Sequence, residues 1–232
     1  MTIGGFQKFS LIDYPDKISA VVFTRGCNFR CPYCHNPELV DLGRTGSDTN
    51  DIKEKEIFSF LKNRRGKLDA VVITGGEPTL QPDLPEFIEK IKKMGFLIKM
   101  DTNGSKPKVI KKVIDSRLAD YLAMDIKAPL RKYYLFSVPK TDLNSIRQSI
   151  ELIMNSGVNY EFRTTVLKSL LAKEDILKIA ELIKGSRLYV LQPFVSSKAL
   201  DSSCFVQENY SDEEFEELRK TSENLVRKCL VR

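Results

Sequence analysis

Residues 18–34 read ISAVVFTRGCNFRCPYC. The opening run, Ile18–Thr24, is apolar and rich in β-branched side chains, which reads as a strand. Beyond it the character changes, and Cys27, Cys31 and Cys34 fall within eight residues. The same pattern recurs outward along the chain, each apolar run leading into polar or conformationally special residues. Ala70–Thr74 runs into Gly75-Gly76-Glu77-Pro78, and Phe96–Met100 into Asp101-Thr102-Asn103-Gly104. Tyr121–Ile126 carries Asp125 and precedes Lys127; Asn159–Val166 contains Arg163; Leu188–Gln192 leads into Pro193-Phe194. Helical patterns fill the intervals, over 53–65, 83–94, 107–116, 142–156, 172–184 and 211–229. Asp142 and Ser211 are N-cap candidates, Ser211 with Glu214 three residues on as a capping box. Gly66, Gly95, Gly157 and Gly185 stand where helices stop.

Strand–helix alternation predicts a parallel sheet with crossover helices. Six such units are too few for a closed eight-stranded barrel. The expected fold is therefore α/β, a partial (β/α)6 TIM-like barrel open on one side. No linker or repeat divides the chain, so residues 1–232 are expected to form one domain. The polar stretch 37–52 reads as a surface loop or flap, and 193–210 as another loop. The unusual polar residues cluster at the C-terminal ends of the strands, the face where α/β barrels build active sites.

Composition sets further bounds. Of 232 residues, 42 % are hydrophobic, enough for a sizeable core and against overall disorder. The longest stretch without a charge, Leu188–Ser197, has ten residues, whereas a membrane span needs about 20. The opening MTIGGFQKFSLIDYPDK is not a secretory signal. No membrane association is expected, and the cytoplasm is the default compartment. The 37 basic and 31 acidic residues leave a net charge of +6. Nine Lys or Arg lie between Lys90 and Arg117, against Asp101 and Asp115. That run reads as a solvated helical face or as a docking patch for an acidic partner. Nucleic acid is not expected, because no aromatic residues interleave with it.

Cysteine usage narrows the chemistry. Five cysteines, three of them crowded together, suit a metal centre better than a disulfide framework. His35 is the sole histidine, which excludes two-histidine zinc chemistry. A C-x3-C-x2-C trio can hold an iron–sulfur cubane with three thiolates, leaving one iron open to a small molecule. A zinc site of the three cysteines plus His35 is the structural alternative, although adjacent Cys34 and His35 make an awkward bite for one ion. Cys204 reads as a loop thiol and Cys229 as part of the last helix.

C-x3-C-x2-C with an aromatic before the last cysteine, followed by GGEP on the next strand, resembles the radical S-adenosylmethionine (SAM) superfamily. The opening FSLIDYPDKISAVVFTRGCNFRCPYCHNPELV is most similar to the activating proteins of anaerobic ribonucleoside-triphosphate reductase, among the glycyl-radical activating enzymes. The resemblance implies a [4Fe–4S] cluster on Cys27, Cys31 and Cys34. SAM would bind its open iron through amino and carboxylate groups and be cleaved by one electron to methionine and a 5′-deoxyadenosyl radical, which takes a hydrogen atom from the target. It also implies roles around SAM. Tyr33 would lie near the adenine, and His35 would make a hydrogen bond beside the cluster. Gly75 and Gly76 would let the backbone approach the ligand, and Glu77 would accept from the ammonium. Asp101, Thr102, Asp125 and Lys127 would surround the polar end, with Lys127 pairing the carboxylate and Asp101 with Asp125 holding a monovalent cation. Arg163 matches a family arginine by position. The same residues also allow an ordinary turn, aromatic packing and plain ion pairs. No histidine follows the sixth strand, where Gln192-Pro193-Phe194 stands instead.

The implied partners are an anaerobic ribonucleotide reductase and a flavodoxin or ferredoxin as electron donor, the latter docking on the Lys90–Arg117 patch. Two other readings remain: a small-molecule radical SAM enzyme such as 7-carboxy-7-deazaguanine synthase, and a non-enzymatic zinc or electron-carrier protein.

Overall fold

The computed structural model describes residues 1–41, 51–136, 142–196, 198–206 and 208–232. In it the six apolar runs form the six central strands: β2 (Ser19–Thr24), β3 (Ala70–Gly75), β4 (Leu97–Thr102), β5 (Tyr121–Asp125), β6 (Asn159–Val166) and β7 (Tyr189–Pro193). Two further strands flank them, β1 (Ile3–Ser10) and β8 (Cys229–Val231). The eight lie side by side in chain order, all parallel except β1, which runs antiparallel to β2. The sheet does not close, as expected of a partial barrel. Six helices cross between strands: α1 (Glu54–Lys62), α2 (Leu84–Lys92), α3 (Pro107–Asp115), α4 (Leu143–Asn155), α5 (Lys173–Leu182) and α6 (Asp212–Ser222). Ser211 caps α6 in a reciprocal box with Glu214, and Asp142 caps α4.

Two expectations are corrected at the chain's end. The last helix stops at Ser222 rather than running to 229, and Cys229 is buried on β8. Pairing of Tyr189 with Cys229 and Leu191 with Val231 recruits this segment into the sheet, overriding local helical preference. Cys204 is buried in a short 3-10 turn, Ser202–Val206. Most of the expected flap, 42–50, lies outside the described residues.

Strand alternation sorts the side chains into two layers. Ala20 and Val22, Val71 and Ile73, Ile98 and Met100, Leu122 and Met124 face outward into the main core, with Ile57, Phe87, Ile110 and Ile146 of the helices. Val21, Ala70 and Val72 face inward and pack with Tyr14, Leu97 and Tyr121 at the N-terminal end of the barrel. Further up the inner face, the same alternation turns Lys99, Asp101, Asp125, Glu161 and Arg163 into the half-barrel. The interior is therefore apolar below and charged above, and its charged end lies under the cysteine loop.

Candidate cofactor-binding site

The loop leaving β2 brings the three cysteines to one wall of a cavity of about 250 Å³. Cys31 is buried, while Cys27 and Cys34 are partly exposed. The loop is fixed from several sides. The Cys27 amide donates to the Val40 carbonyl at 2.9 Å, and the Arg30 guanidinium donates to the Cys27 and Phe29 carbonyls at 2.7 and 3.0 Å. Two sulfurs receive backbone amides: Cys27 Sγ from Phe29, at 3.3 Å, and Cys34 from Asn36. Burial pushes the thiol of Cys27 up to about 11 and that of Cys31 up to about 12. An amide aimed at sulfur favours the thiolate, the form that ligates iron. Three clustered thiols with N–H donors directed at two of them fit an iron–sulfur cluster. Among the described residues no three thiol, imidazole or carboxylate groups converge closely enough to hold a single ion.

The GGEP turn seats this loop. Gly75 has φ +106°, which favours glycine. A Cβ on Gly76 would stand 2.2 Å from the Gly26 carbonyl oxygen. The glycines thus serve close packing of two backbones, β3's exit against β2's, rather than only approach to a ligand. Glu77 is buried, and Oε1 accepts from the Thr79 amide (3.1 Å), the Thr79 hydroxyl and the Thr102 hydroxyl (2.7 Å), while Oε2 accepts from the Asn103 amide (2.7 Å). Its carboxylate locks β3's exit to β4's exit at the cavity wall. Burial raises it above the ordinary carboxyl range despite these donors. Asn103 continues the link: its amide nitrogen donates to Asn28 Oδ1 at 2.9 Å, and Asn28 donates to Ser105 Oγ at 2.9 Å. This Glu77–Asn103–Asn28 chain, which ends beside Cys27, is not evident from motif reading.

The floor is a network of ion pairs. Arg163 donates from Nε to Asp125 Oδ1 at 2.8 Å and from Nη1 to Asp101 Oδ2 at 3.2 Å. Asp101 also receives Lys99 Nζ at 2.6 Å, and Asp125 receives Lys127 Nζ at 2.9 Å. Burial is the largest single influence and would raise both carboxyls, but Arg163 together with Lys99 at Asp101 and Lys127 at Asp125 outweighs it and holds both below their ordinary range, Asp125 furthest. Burial is the largest single influence and would lower Lys127, but Asp125 together with the other acidic groups around it outweighs that and holds the ammonium well above its ordinary value. Asp101, Thr102, Asp125, Lys127 and Arg163 all line the cavity, as do Cys27, Cys31, Tyr33, Cys34, His35 and the Gly75–Glu77 turn. Every expected site residue therefore comes to one place. Lys99 and Glu161 below the cavity, and Thr165 and Gln192 on its wall, complete it.

Tyr33 is 3 % exposed and packs on Phe136, with Lys127 Nζ 6.0 Å from its ring centre. Its hydroxyl is buried without a hydrogen-bond partner among the described residues. His35 Nε2 lies 3.1 Å from the Val195 carbonyl oxygen, and its ring stacks on Phe194. The Lys90–Arg117 patch is weaker than its composition implies. Lys99 is inside the barrel, and Lys90, Lys92, Lys93, Lys111 and Lys112 each pair with a neighbouring carboxylate.

An open α/β half-barrel with a three-thiol loop over a charged floor defines the class: a protein that holds a cluster and a polar small molecule at its strand ends. The family model described as the Radical SAM superfamily matches residues 21–184. The chain belongs to the radical SAM superfamily and is a radical SAM enzyme. It is 36 % identical over 235 residues to a provisionally named glycyl-radical enzyme activating enzyme of Methanocaldococcus jannaschii, covering 99 % of this chain and 95 % of that one. It is 28 % identical to a pyruvate formate-lyase-activating enzyme of Clostridium pasteurianum, covering 80 % and 77 %. It is 27 % identical to a 7-carboxy-7-deazaguanine synthase of Thermococcus kodakarensis, covering 74 % and 73 %. The crystal structure of QueE from Escherichia coli matches the fold with TM-score 0.56 at 16 % identity, over 100 % of this chain and 93 % of that one. Among the described residues no helix is long and apolar enough to cross a membrane.

Proposed function

We propose that this chain, acting as one radical SAM domain, is an activating enzyme that generates a glycyl radical on anaerobic ribonucleotide reductase. The observation that carries the reading is likeness along almost the whole chain to a protein named as a glycyl-radical enzyme activating enzyme. The cavity's chemistry supports it. Cys27, Cys31 and Cys34 would hold the [4Fe–4S] cluster. When bound, cluster and SAM together supply a one-electron route to a 5′-deoxyadenosyl radical.

The remaining work belongs to the chain. Lys127 gives one of its three N–H donors to Asp125 and keeps donors for the SAM carboxylate. Arg163 fixes the floor by joining Asp101 and Asp125. Glu77 and Asn103 hold the GGEP turn against the Thr102 strand end, so that backbone groups rather than mobile side chains meet the amino acid moiety. Tyr33 covers the cavity from the cysteine side, keeping water away. A monovalent cation beside Asp101 and Asp125 is not needed in this reading, since Arg163 and Lys127 already supply positive charge.

The 7-carboxy-7-deazaguanine synthase reading rests on the Thermococcus kodakarensis relative. It fits less well, because that relative is 27 % identical over 74 % of this chain, against 36 % over 99 % for the glycyl-radical enzyme activating enzyme. The electron donor would be a flavodoxin or ferredoxin.

The test is anaerobic reconstitution with iron and sulfide, followed by SAM, reductant and the reductase. The expected result is a glycyl-radical doublet in the electron paramagnetic resonance (EPR) spectrum. An intact cluster with no doublet, together with turnover of the pterin substrate of a 7-carboxy-7-deazaguanine synthase, would move the assignment to the alternative.

A further inference from the structure

Below the cavity the interior holds a carboxylate that the cofactor reading does not use. Glu161, on the inner face of β6, is 0 % exposed. Its Oε2 accepts from the Tyr121 hydroxyl at 3.2 Å, and its Oε1 accepts from Arg232 Nη2 at 2.8 Å. The same Oε1 stands 3.9 Å from Arg163 Nη1, too far for a hydrogen bond. Two guanidinium groups therefore face one oxygen, and Arg232 has it. Arg232 follows β8, reaches past β7 and is 44 % exposed along its side chain, so it enters from the sheet's open edge. Its backbone is tied there by an amide bond to the Leu191 carbonyl at 3.0 Å. Arg163, relieved of Glu161, gives its Nε and Nη1 to Asp125 and Asp101 instead.

We propose that Arg232 is a positioning residue: by occupying Glu161 it holds Arg163 up against Asp101 and Asp125, at the floor of the SAM cavity. This rests on the reading of that cavity as the SAM site. Charge balance explains why the competition matters. Lys99, Lys127 and Arg163 oppose Asp101, Asp125 and Glu161, three against three, in a region shielded from water. If Arg232 is lost, Glu161 becomes a buried carboxylate with only a hydroxyl for company, and the nearest cation is Arg163. A buried charge takes the partner within reach. Arg163 would drop toward Glu161 and loosen its longer contact, the 3.2 Å bond to Asp101.

The test uses Arg232→Gln, Glu161→Gln and the double variant, in the reconstituted protein. The readout is equilibrium binding of S-adenosylhomocysteine by calorimetry, with SAM-cleavage KM and kcat and thermal midpoints alongside. Arg232→Gln is expected to weaken binding about tenfold, as when an outer partner of a ligand-holding side chain is removed, and to raise KM with kcat little changed. Adding Glu161→Gln removes the competing carboxylate, so the double variant is expected to regain most of the wild-type affinity. Were Arg232 only a structural tie, the double variant would bind no better than Arg232→Gln, and that result would overturn the proposal. Unchanged affinity in a folded Arg232→Gln protein would overturn it equally. Failure of the wild-type protein to bind the nucleotide would instead overturn the cavity assignment on which it rests.

Discussion

The inner wall formed by β4, β5 and β6 and the outer wall formed by α2 and α3 are both rich in lysine, arginine and carboxylates. Yet the two walls differ in every consequence of charge. On the outer wall Lys111–Asp115 and Lys112–Glu86 are pairs in which each partner is 58–59 % exposed, at 2.5 and 3.6 Å. Water and salt screen such pairs, and each contributes little. On the inner wall Lys99 and Asp101 are 2 % and 13 % exposed at 2.6 Å, and Arg163 joins two carboxylates at once. There no group can lose its partner without leaving a charge away from water. Lys99 belongs to the same sequence run as the outer lysines. Burial, and not residue type, turns it into part of a site.

The largest expected effect comes from removing one inner charge. Asp101→Asn keeps the shape but strips Lys99 of its counter-ion, and should cost about 3–5 kcal/mol, the range for breaking a buried pair. Denaturant unfolding of the two proteins side by side measures it; a loss below about 1 kcal/mol, as at an exposed pair, would erase the distinction between the walls. Next comes Arg163→Ala, which leaves Asp101 and Asp125 without their shared cation. Nucleotide affinity should fall about tenfold to a hundredfold, read by calorimetry.

The third effect is a pH dependence. Asp101 and Asp125 are held below their ordinary range in the folded state. Their contribution to stability is therefore fully present above about pH 4, the unfolded carboxyl value, and is lost as pH falls through the lower folded values. Unfolding midpoints from pH 5 downward should drop, and Asp125→Asn should flatten the slope. An unchanged slope in that variant would place the titrating groups elsewhere. The smallest effect is on the outer wall, where Lys111→Ala should change stability by no more than about 0.5 kcal/mol. A larger loss there would mean the exposed pairs are not screened as supposed.

The central strands were open to reading because each apolar run carries its own signature and its own polar exit. The edges were not. β1 contains Gly4 and Gly5 and alternates poorly, and β8 is three residues long; both exist through pairing with the neighbouring strand, β1 with β2 and β8 with β7. The site was legible by residue type at the strand ends, which placed Asp101, Asp125, Lys127 and Arg163 together. Lys99 and Glu161 were missed, although period-two alternation back from Asp101 and Arg163 puts both on the same inner face. The tie from Glu77 to Thr102 and Asn103 is not legible in the sequence, because those partners come from the next strand's exit, which no local pattern announces. Arg232 could not be located while the chain's last residues were read as lying beyond a helix.

The central claim is that three thiolates over a charged floor bind a cluster and SAM side by side. The direct measurement is EPR of the anaerobically reconstituted, reduced protein, recorded before and after SAM is added. The account predicts about four irons per chain, lost when Cys31 is replaced by alanine, and a cluster signal that changes on SAM addition. A protein that takes up only zinc, or a cluster signal that SAM leaves unaltered, would contradict it.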